Sequence, residues 1–164
     1  MSTCLTELTA DGKIAENAEI LANILISAWR SGFRGILEDS IIAKYTNFPD
    51  VKSMFSQILA SNIGTMYLAT LDGKPMGLLY WLEEQGDARI EALLSIPDAW
   101  GKGVGAALME RALADIKATG YSVVHVWPFA DNRRARRFYE KQGFHPSGQS
   151  RMGDAVEVEY LCHL

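Results

Sequence analysis

The segment Trp100-Gly101-Lys102-Gly103-Val104-Gly105-Ala106-Ala107 gathers small residues where an extended stretch gives way to a helical period. The first four amides of a helix have no internal partner, and the macrodipole adds about half a positive charge there. A phosphate can therefore rest on bare backbone N–H groups wherever no side chain obstructs it. Gly101, Gly103 and Gly105 remove that obstruction. Three readings fit these residues: a tight strand-to-helix turn without a ligand, a dinucleotide site of the form Gly101-x-Gly103-x-x-Ala106, and a cradle for the diphosphate of a coenzyme. The dinucleotide form fits poorly, because the glycines follow antiparallel strands and no acidic residue stands about 20 positions on. A Walker loop is excluded, since Lys102 precedes Gly103 and not Ser or Thr.

A second group of chemically capable residues follows at Asn132–Gln142. Asn132 is a preferred N-cap for a helix starting at Arg133. Ala135, Phe138, Tyr139 and Gln142 share that helix's inner face, where Tyr139 reads either as core or as a phenol with work to do. Arg133, Arg137 and Lys141 align at i, i+4, i+8, a solvated face or a seat for a further phosphate. His125 and His163 read as structural, and His145 as a loop residue without a visible partner. Cys4 and Cys162 lie near opposite ends with no metal-ligand spacing, so no metal site is expected.

The elements that must position these residues are legible from periodicity. Ile20, Leu21, Ile24, Leu25 and Ala28 form the stripe of an amphipathic helix over Glu16–Arg30. Asp50–Ala60 reads as a second helix with Val51, Met54, Phe55 and Ile58 inward. Thr65–Leu71 and Pro75–Glu83 are strands joined by a turn at Asp72-Gly73. In a third strand, Ala88–Ile96, alternation assigns Ile90, Ala92, Leu94 and Ile96 to one face and Arg89, Glu91, Leu93 and Ser95 to the other. A helix follows the glycines, with Val104, Leu108, Ala112, Leu113 and Ile116 inward and Gly120 as its stop. Ser122–Phe129 is a strand, Arg133–Gln142 a helix, and the tail a hairpin turning at Gly153-Asp154. This order describes one α+β domain over residues 1–164.

The chain has 164 residues, 48% hydrophobic, with a formal charge of −4. It is long enough to bury a core without disulfides or structural metal. The acidic balance opposes sequence-independent nucleic-acid binding, and no apolar stretch approaches the ~20 residues of a membrane span. Without a visible signal segment and with two scattered cysteines, a cytoplasmic location is expected. Any polyanion must be held by a local device.

Two blocks together resemble the GNAT family of N-acetyltransferases. Ser95-Ile96-Pro97-Asp98-Ala99-Trp100-Gly101-Lys102-Gly103-Val104-Gly105-Ala106 is similar to the family's Q/R-x-x-G-x-G/A signature, with Trp100 in place of Q/R. Asn132 to Phe144 is similar to its N-x-x-A-x-x-F-Y-E-K-x-G-F block. Ala28-Trp29-Arg30 and Phe33–Leu37 also look family-like. The resemblance implies a GNAT-like, three-layer α/β arrangement, with a mixed, mostly antiparallel sheet of about 6–7 strands flanked by about 4 helices. It implies acetyl-CoA as donor substrate, no metal, and direct transfer to an amine in a ternary complex. The amides of Gly101, Lys102, Gly103, Val104, Gly105 and Ala106 would bind the pyrophosphate. The backbone of Leu93, Leu94 and Ser95 would pair with the pantetheine arm, and Asn132 would contact it. Tyr139 would protonate the leaving thiolate, while Glu91, acting through water, would be the base or else a strand carboxylate paired with a cation. Pro128 fits a place where the fourth and fifth strands separate around a ligand, or a sheet edge.

A lysine-like amine of pKa ~10.4 is neutral in about one molecule in 2,500 at pH 7, an α-amine near 7.7 in about one in six, so the former needs the base more. Trp29, Phe33, Tyr80 and Trp127 are candidates for the acceptor pocket. A small-molecule amine, a protein N-terminus and a lysine all stay open as acceptors, and so does a homodimer. Glu83, Glu84 and Asp87 hint at a cationic amine. Another acyl-CoA donor, or a catalytically idle CoA-binding module, is the alternative.

Overall fold

The structure, a computed structural model, describes residues 2–164. The elements run β1 (Thr3–Leu8), α1 (Ile14–Gly32), α2 (Asp39–Tyr45), α3 (Phe48–Ser61), β2 (Thr65–Leu71), β3 (Lys74–Glu84), β4 (Asp87–Ser95), α4 (Val104–Thr119), β5 (Val123–Val126), α5 (Arg133–Lys141), β6 (His145–Met152) and β7 (Val156–His163). A single 3₁₀ turn, Pro97–Ala99, leads into the glycines. The strands form one seven-stranded sheet in the order β1-β2-β3-β4-β5-β7-β6, in which β4 and β5 alone are parallel. The three-layer, mostly antiparallel expectation holds, with five helices among the described residues. β1 and α2 are the elements periodicity missed. β1 alternates half-buried and exposed residues without a strong apolar run, and α2 has seven residues of which Ile42 alone is buried.

Helices cover the sheet on both faces. On one, Leu21, Ile24 and Leu25 of α1 and Val51, Phe55 and Leu59 of α3 pack against Met66, Leu68, Leu78 and Tyr80. On the other, Val104, Leu108, Met109, Ala112 and Ile116 of α4 pack against Tyr67, Leu79, Trp81, Val124 and Tyr160. Burying each such side chain contributes roughly 1.5–3 kcal/mol relative to exposure, so these two layers set the sheet's position. Tyr67 is locked further: its hydroxyl donates to Asp115 at 2.8 Å and accepts from the Trp81 indole at 3.2 Å.

The facing expected for β4 is wrong beyond Ile90. Trp81 pairs with Ile90 but Tyr80 with Ala92, which leaves Glu91 as the extra residue of a β-bulge. A bulge shifts the period-2 alternation by one. Ala88 and Ile90 accordingly join the α4 layer, whereas Ala92 and Leu94 pack with the α1 and α3 layer. The strand expected over Ser122–Phe129 is regular only to Val126.

Candidate active site

β4 and β5 are paired only from Ala88↔Val124 to Ile90↔Val126. Beyond the Glu91 bulge β4 continues to Ser95 while β5 ends, so the edge of β4 facing β5 is unpaired over its last residues. The splay opens a cleft of about 1260 Å³, which runs from the glycine loop to the C-terminal end of α1.

At the glycine-loop end, Gly103 is the N-cap of α4 at φ +78° and Gly101 stands at φ +76°, a left-handed conformation that other residues adopt at a cost. Among the described residues no side chain caps α4, and no acid occupies its first turn, so the amides of Val104, Gly105 and Ala106 are open toward the cleft. Among the described residues the Gly101 and Gly103 amides also have no backbone acceptor. Lys102 differs from its neighbours: its N–H donates to the Ala99 carbonyl at 3.2 Å, and its side chain does not line the cleft. Trp100 donates its indole N–H to the Ser95 carbonyl at 3.4 Å and carries the Arg134 guanidinium over its ring at 3.7 Å. The α5 cations that reach the cleft are Arg134, Arg137 and Lys141, not Arg133. Arg136 belongs to the scaffold, donating to the Ala130 carbonyl at 2.9 Å and to the Tyr160 hydroxyl at 3.0 Å.

Asn132 caps α5 by accepting from the Ala135 amide at 3.1 Å, which leaves its NH₂ available to the cleft it lines. Leu93, Leu94 and Ser95 line the cleft along the free β4 edge. The Tyr139 ring is buried against Phe138, Phe144 and Tyr160, at 5.5, 5.7 and 6.5 Å between centroids. Its hydroxyl has no hydrogen-bond partner among the described residues, and Tyr139 is part of the cleft wall. Burial pushes its pKa well above the usual phenol value, so the proton is held throughout the working pH range.

Glu91 also reaches the cleft, but its carboxylate forms an ion pair with the Arg89 guanidinium at 2.8 Å, and Arg89 lies 3.2 Å from Glu84 as well. The carboxylate is thus engaged by a cation of its own strand. Pro128 does not serve the splay. Its carbonyl accepts from Val158 at 2.9 Å, and paired antiparallel residues turn N–H and C=O toward the same neighbour, so the missing N–H falls on the β7 side.

At the far end, Trp29, Phe33 and Phe129 form an edge-to-face chain at 5.0 and 5.2 Å, with Tyr45 5.6 Å from Trp29. Met54, expected in the core, is 42% exposed and lines this end. Arg151 lies 4.3 Å over the Trp127 ring and is bonded to Glu157 at 3.1 Å. Trp29, Phe33, Tyr80 and Trp127 all border the cleft, although Tyr80 is buried and donates its hydroxyl to the Ile63 carbonyl at 2.6 Å. Six cations, Lys44, Arg89, Arg134, Arg137, Lys141 and Arg151, line the cleft against four carboxylates, Asp50, Glu91, Asp154 and Glu157. Glu83, Glu84 and Asp87 are outside it.

A free strand edge leading into a loop of open amides suits an extended thioester carrying a diphosphate. The Acetyltransferase (GNAT) family model matches residues 27–144, which span both ends of this cleft. The chain belongs to the GNAT family. An uncharacterized N-acetyltransferase of Archaeoglobus fulgidus is 32% identical over 124 residues, 71% of this chain and 82% of that one. Aminoglycoside N(6')-acetyltransferase type 1 of Klebsiella pneumoniae is 33% identical over 125 residues, covering 66% of this chain and 62% of that protein. The GNAT fold also matches, at a TM-score of 0.82 with all of both chains covered and 17% identity, the PaiA N-acetyltransferase of Thermoplasma acidophilum, a structure in complex with coenzyme A. No helix among the described residues is long and apolar enough to cross a membrane.

Two features of this GNAT fold escaped sequence reasoning, one of them at the cleft. The bulge had no local signal, because Glu91 reads as an ordinary alternating residue. The pairing of His125, whose Nε2 is 2.7 Å from Asp87 and Nδ1 3.0 Å from Glu159, joins residues 38 and 34 positions apart. His145 likewise has a partner, stacked on His163 at 5.4 Å.

Proposed function

We propose that this GNAT protein transfers an acetyl group from acetyl-CoA to a primary amine by direct attack in a ternary complex. The observation that carries this reading is the unpaired β4 edge, Glu91 to Ser95, which runs straight into the open amides at the start of α4. An extended pantetheine arm can add to that edge as a strand does, through main-chain hydrogen bonds from Leu93, Leu94 and Ser95. The amides of Gly101, Gly103, Val104, Gly105 and Ala106 then hold the pyrophosphate, with Arg134 beside them on the Trp100 ring. Asn132 donates its free NH₂ to the arm while its oxygen keeps α5 capped.

The chemistry follows from these positions. The neutral amine attacks the thioester carbonyl carbon, its nitrogen forming the new C–N bond as the oxygen takes the electron pair. A β4 amide stabilises that oxyanion. Collapse of the tetrahedral intermediate breaks the C–S bond, and Tyr139 donates its proton to the departing thiolate. The proton lost by the nitrogen passes to water, with Glu91 as the nearest carboxylate on β4, and water in the open cleft returns a proton to the Tyr139 phenolate. Burial keeps the Tyr139 phenol protonated, and its hydroxyl, without a hydrogen-bond partner among the described residues, has that proton free for the departing sulfur. The test is thiol release from acetyl-CoA on addition of an amine, followed by mass detection of the acetylated amine. Binding of acetyl-CoA with no thiol released on any amine would favour an idle CoA-binding module, and faster turnover of succinyl- or propionyl-CoA would reassign the donor.

A further inference from the structure

The cleft's lining as a whole does not carry the sign that the chain's overall charge suggests. The protein carries −4, yet the cleft is lined by more cations than carboxylates, and two of its four carboxylates are already neutralised. Glu91 is held by Arg89 at 2.8 Å and Glu157 by Arg151 at 3.1 Å. Asp50 and Asp154 are the two cleft carboxylates without an ion-pair partner among the described residues. With Arg89 and Arg151 taken up in those pairs, the cleft cations without an ion-pair partner among the described residues are Lys44 and the α5 residues Arg134, Arg137 and Lys141.

What the far end of the cleft offers is apolar surface. Trp29, Phe33 and Phe129 present a continuous aromatic wall built from two elements distant in sequence, and their edge-to-face geometry fixes the rings in place. Tyr45 and Met54 extend it with large side chains that are 38% and 42% exposed, which a buried core would not leave open. Resting on the acetyltransferase reading above, we infer that the acceptor is a small primary amine carried on an aryl or bulky alkyl group, of the arylalkylamine class, and not a polyamine, aminoglycoside or lysine side chain. The wall contributes to the chemistry as well as to binding. Removing water from an ammonium group disfavours its charged form and lowers its pKa. Desolvation against Trp29 and Phe33 therefore supplies part of the neutral amine that a free base would otherwise generate, in a cleft whose Glu91 is engaged by Arg89.

The experiment compares kcat/KM for 2-phenylethylamine, spermidine, kanamycin, Nα-acetyl-lysine amide and a short peptide with a free N-terminus, using the full chain at saturating acetyl-CoA. The expected result is at least about a tenfold preference for 2-phenylethylamine, the scale at which apolar pockets discriminate. Met54→Glu changes an exposed position and adds a carboxylate at the wall. It is expected to raise the KM for 2-phenylethylamine about tenfold, to improve spermidine, and to leave the KM for acetyl-CoA unchanged. Preference for spermidine, kanamycin, the lysine derivative or the peptide would overturn the acceptor class while leaving acetyl transfer intact. A Met54→Glu variant with the wild-type ranking and KM values would overturn it too. Acetyl-CoA binding without turnover of any amine would overturn both the acceptor class and the transfer reading, and absence of acetyl-CoA binding would refute the donor site itself.

Discussion

Tyr139→Phe separates the two roles a buried tyrosine can have. The ring's contacts with Phe138, Phe144 and Tyr160 involve carbon alone, and phenylalanine keeps them. The hydroxyl has no hydrogen bond to protein among the described residues, so its removal leaves no donor or acceptor orphaned. Stability should then change by less than ~1 kcal/mol, the scale of one net hydrogen bond. In a domain of this size that is a shift in Tm of no more than about 2–4 °C. Turnover should respond on another scale, because a positioned proton donor is worth about 10²–10⁴ in rate. Differential scanning calorimetry on both proteins, with thiol release and acetyl-CoA binding by titration calorimetry, measures the three quantities separately. We expect kcat to fall at least a hundredfold, with Tm and the Kd for acetyl-CoA nearly unchanged. Since burial raises the Tyr139 pKa above its ordinary value, the wild-type rate should show no loss from its deprotonation up to pH 10. A variant with wild-type kcat and a Tm lowered by 8 °C or more, roughly 2 kcal/mol or more on that scale, would show that the residue is packing alone.

Three other perturbations probe the same framework. Asn132→Asp keeps an oxygen for the Ala135 amide but removes the NH₂, so it should preserve Tm and weaken acetyl-CoA binding, whereas Asn132→Ala should also lose ~1 kcal/mol of stability; equal binding by both variants and wild type would exclude a donor contact. Arg134→Ala should raise the KM for acetyl-CoA about tenfold, ~1.4 kcal/mol, with a smaller effect at 1 M salt where exposed charges are screened, and a salt-independent or absent effect would remove Arg134 from the phosphate seat. For His125, burial lowers the pKa but the hydrogen bonds to Asp87 and Glu159 outweigh it, so the folded value is above 6.5. Its contribution to stability is present below pH ~6.5 and lost as pH rises through the folded value. Unfolding by urea at pH 6 and pH 8.5 should show a fall in wild-type stability that His125→Gln lacks, and an equal fall in both would assign the dependence to other groups.

Helices α1, α3, α4 and α5 and the glycine loop were legible because their signals are local. An apolar residue every third or fourth position, an Asn before a helix and glycines at positive φ each act within a few residues of themselves. The same is true of Gly103 as the N-cap of α4 and of Asn132 as the cap of α5. The sequence by itself therefore determined an α+β arrangement with a glycine loop of unobstructed amides at a helix start, and the two blocks at Ser95–Ala106 and Asn132–Phe144 were enough to suggest its family. Tertiary structure decided the rest, through contacts between residues far apart in the chain. The Glu91 bulge exists only in the pairing of β3 with β4, yet it reverses the facing of Ala92 and Leu94 and marks where the cleft opens. Glu91 became a salt-bridged carboxylate only when the fold brought the Arg89 guanidinium against it. Charge shows the difference most clearly. Composition sums over the whole surface and gives −4, whereas a ligand feels the groups within a Debye length, about 8–10 Å, and which groups those are is fixed by folding. Folding left Glu83, Glu84 and Asp87 outside the cleft and brought Lys44, Arg89 and Arg151 to it beside an aromatic wall.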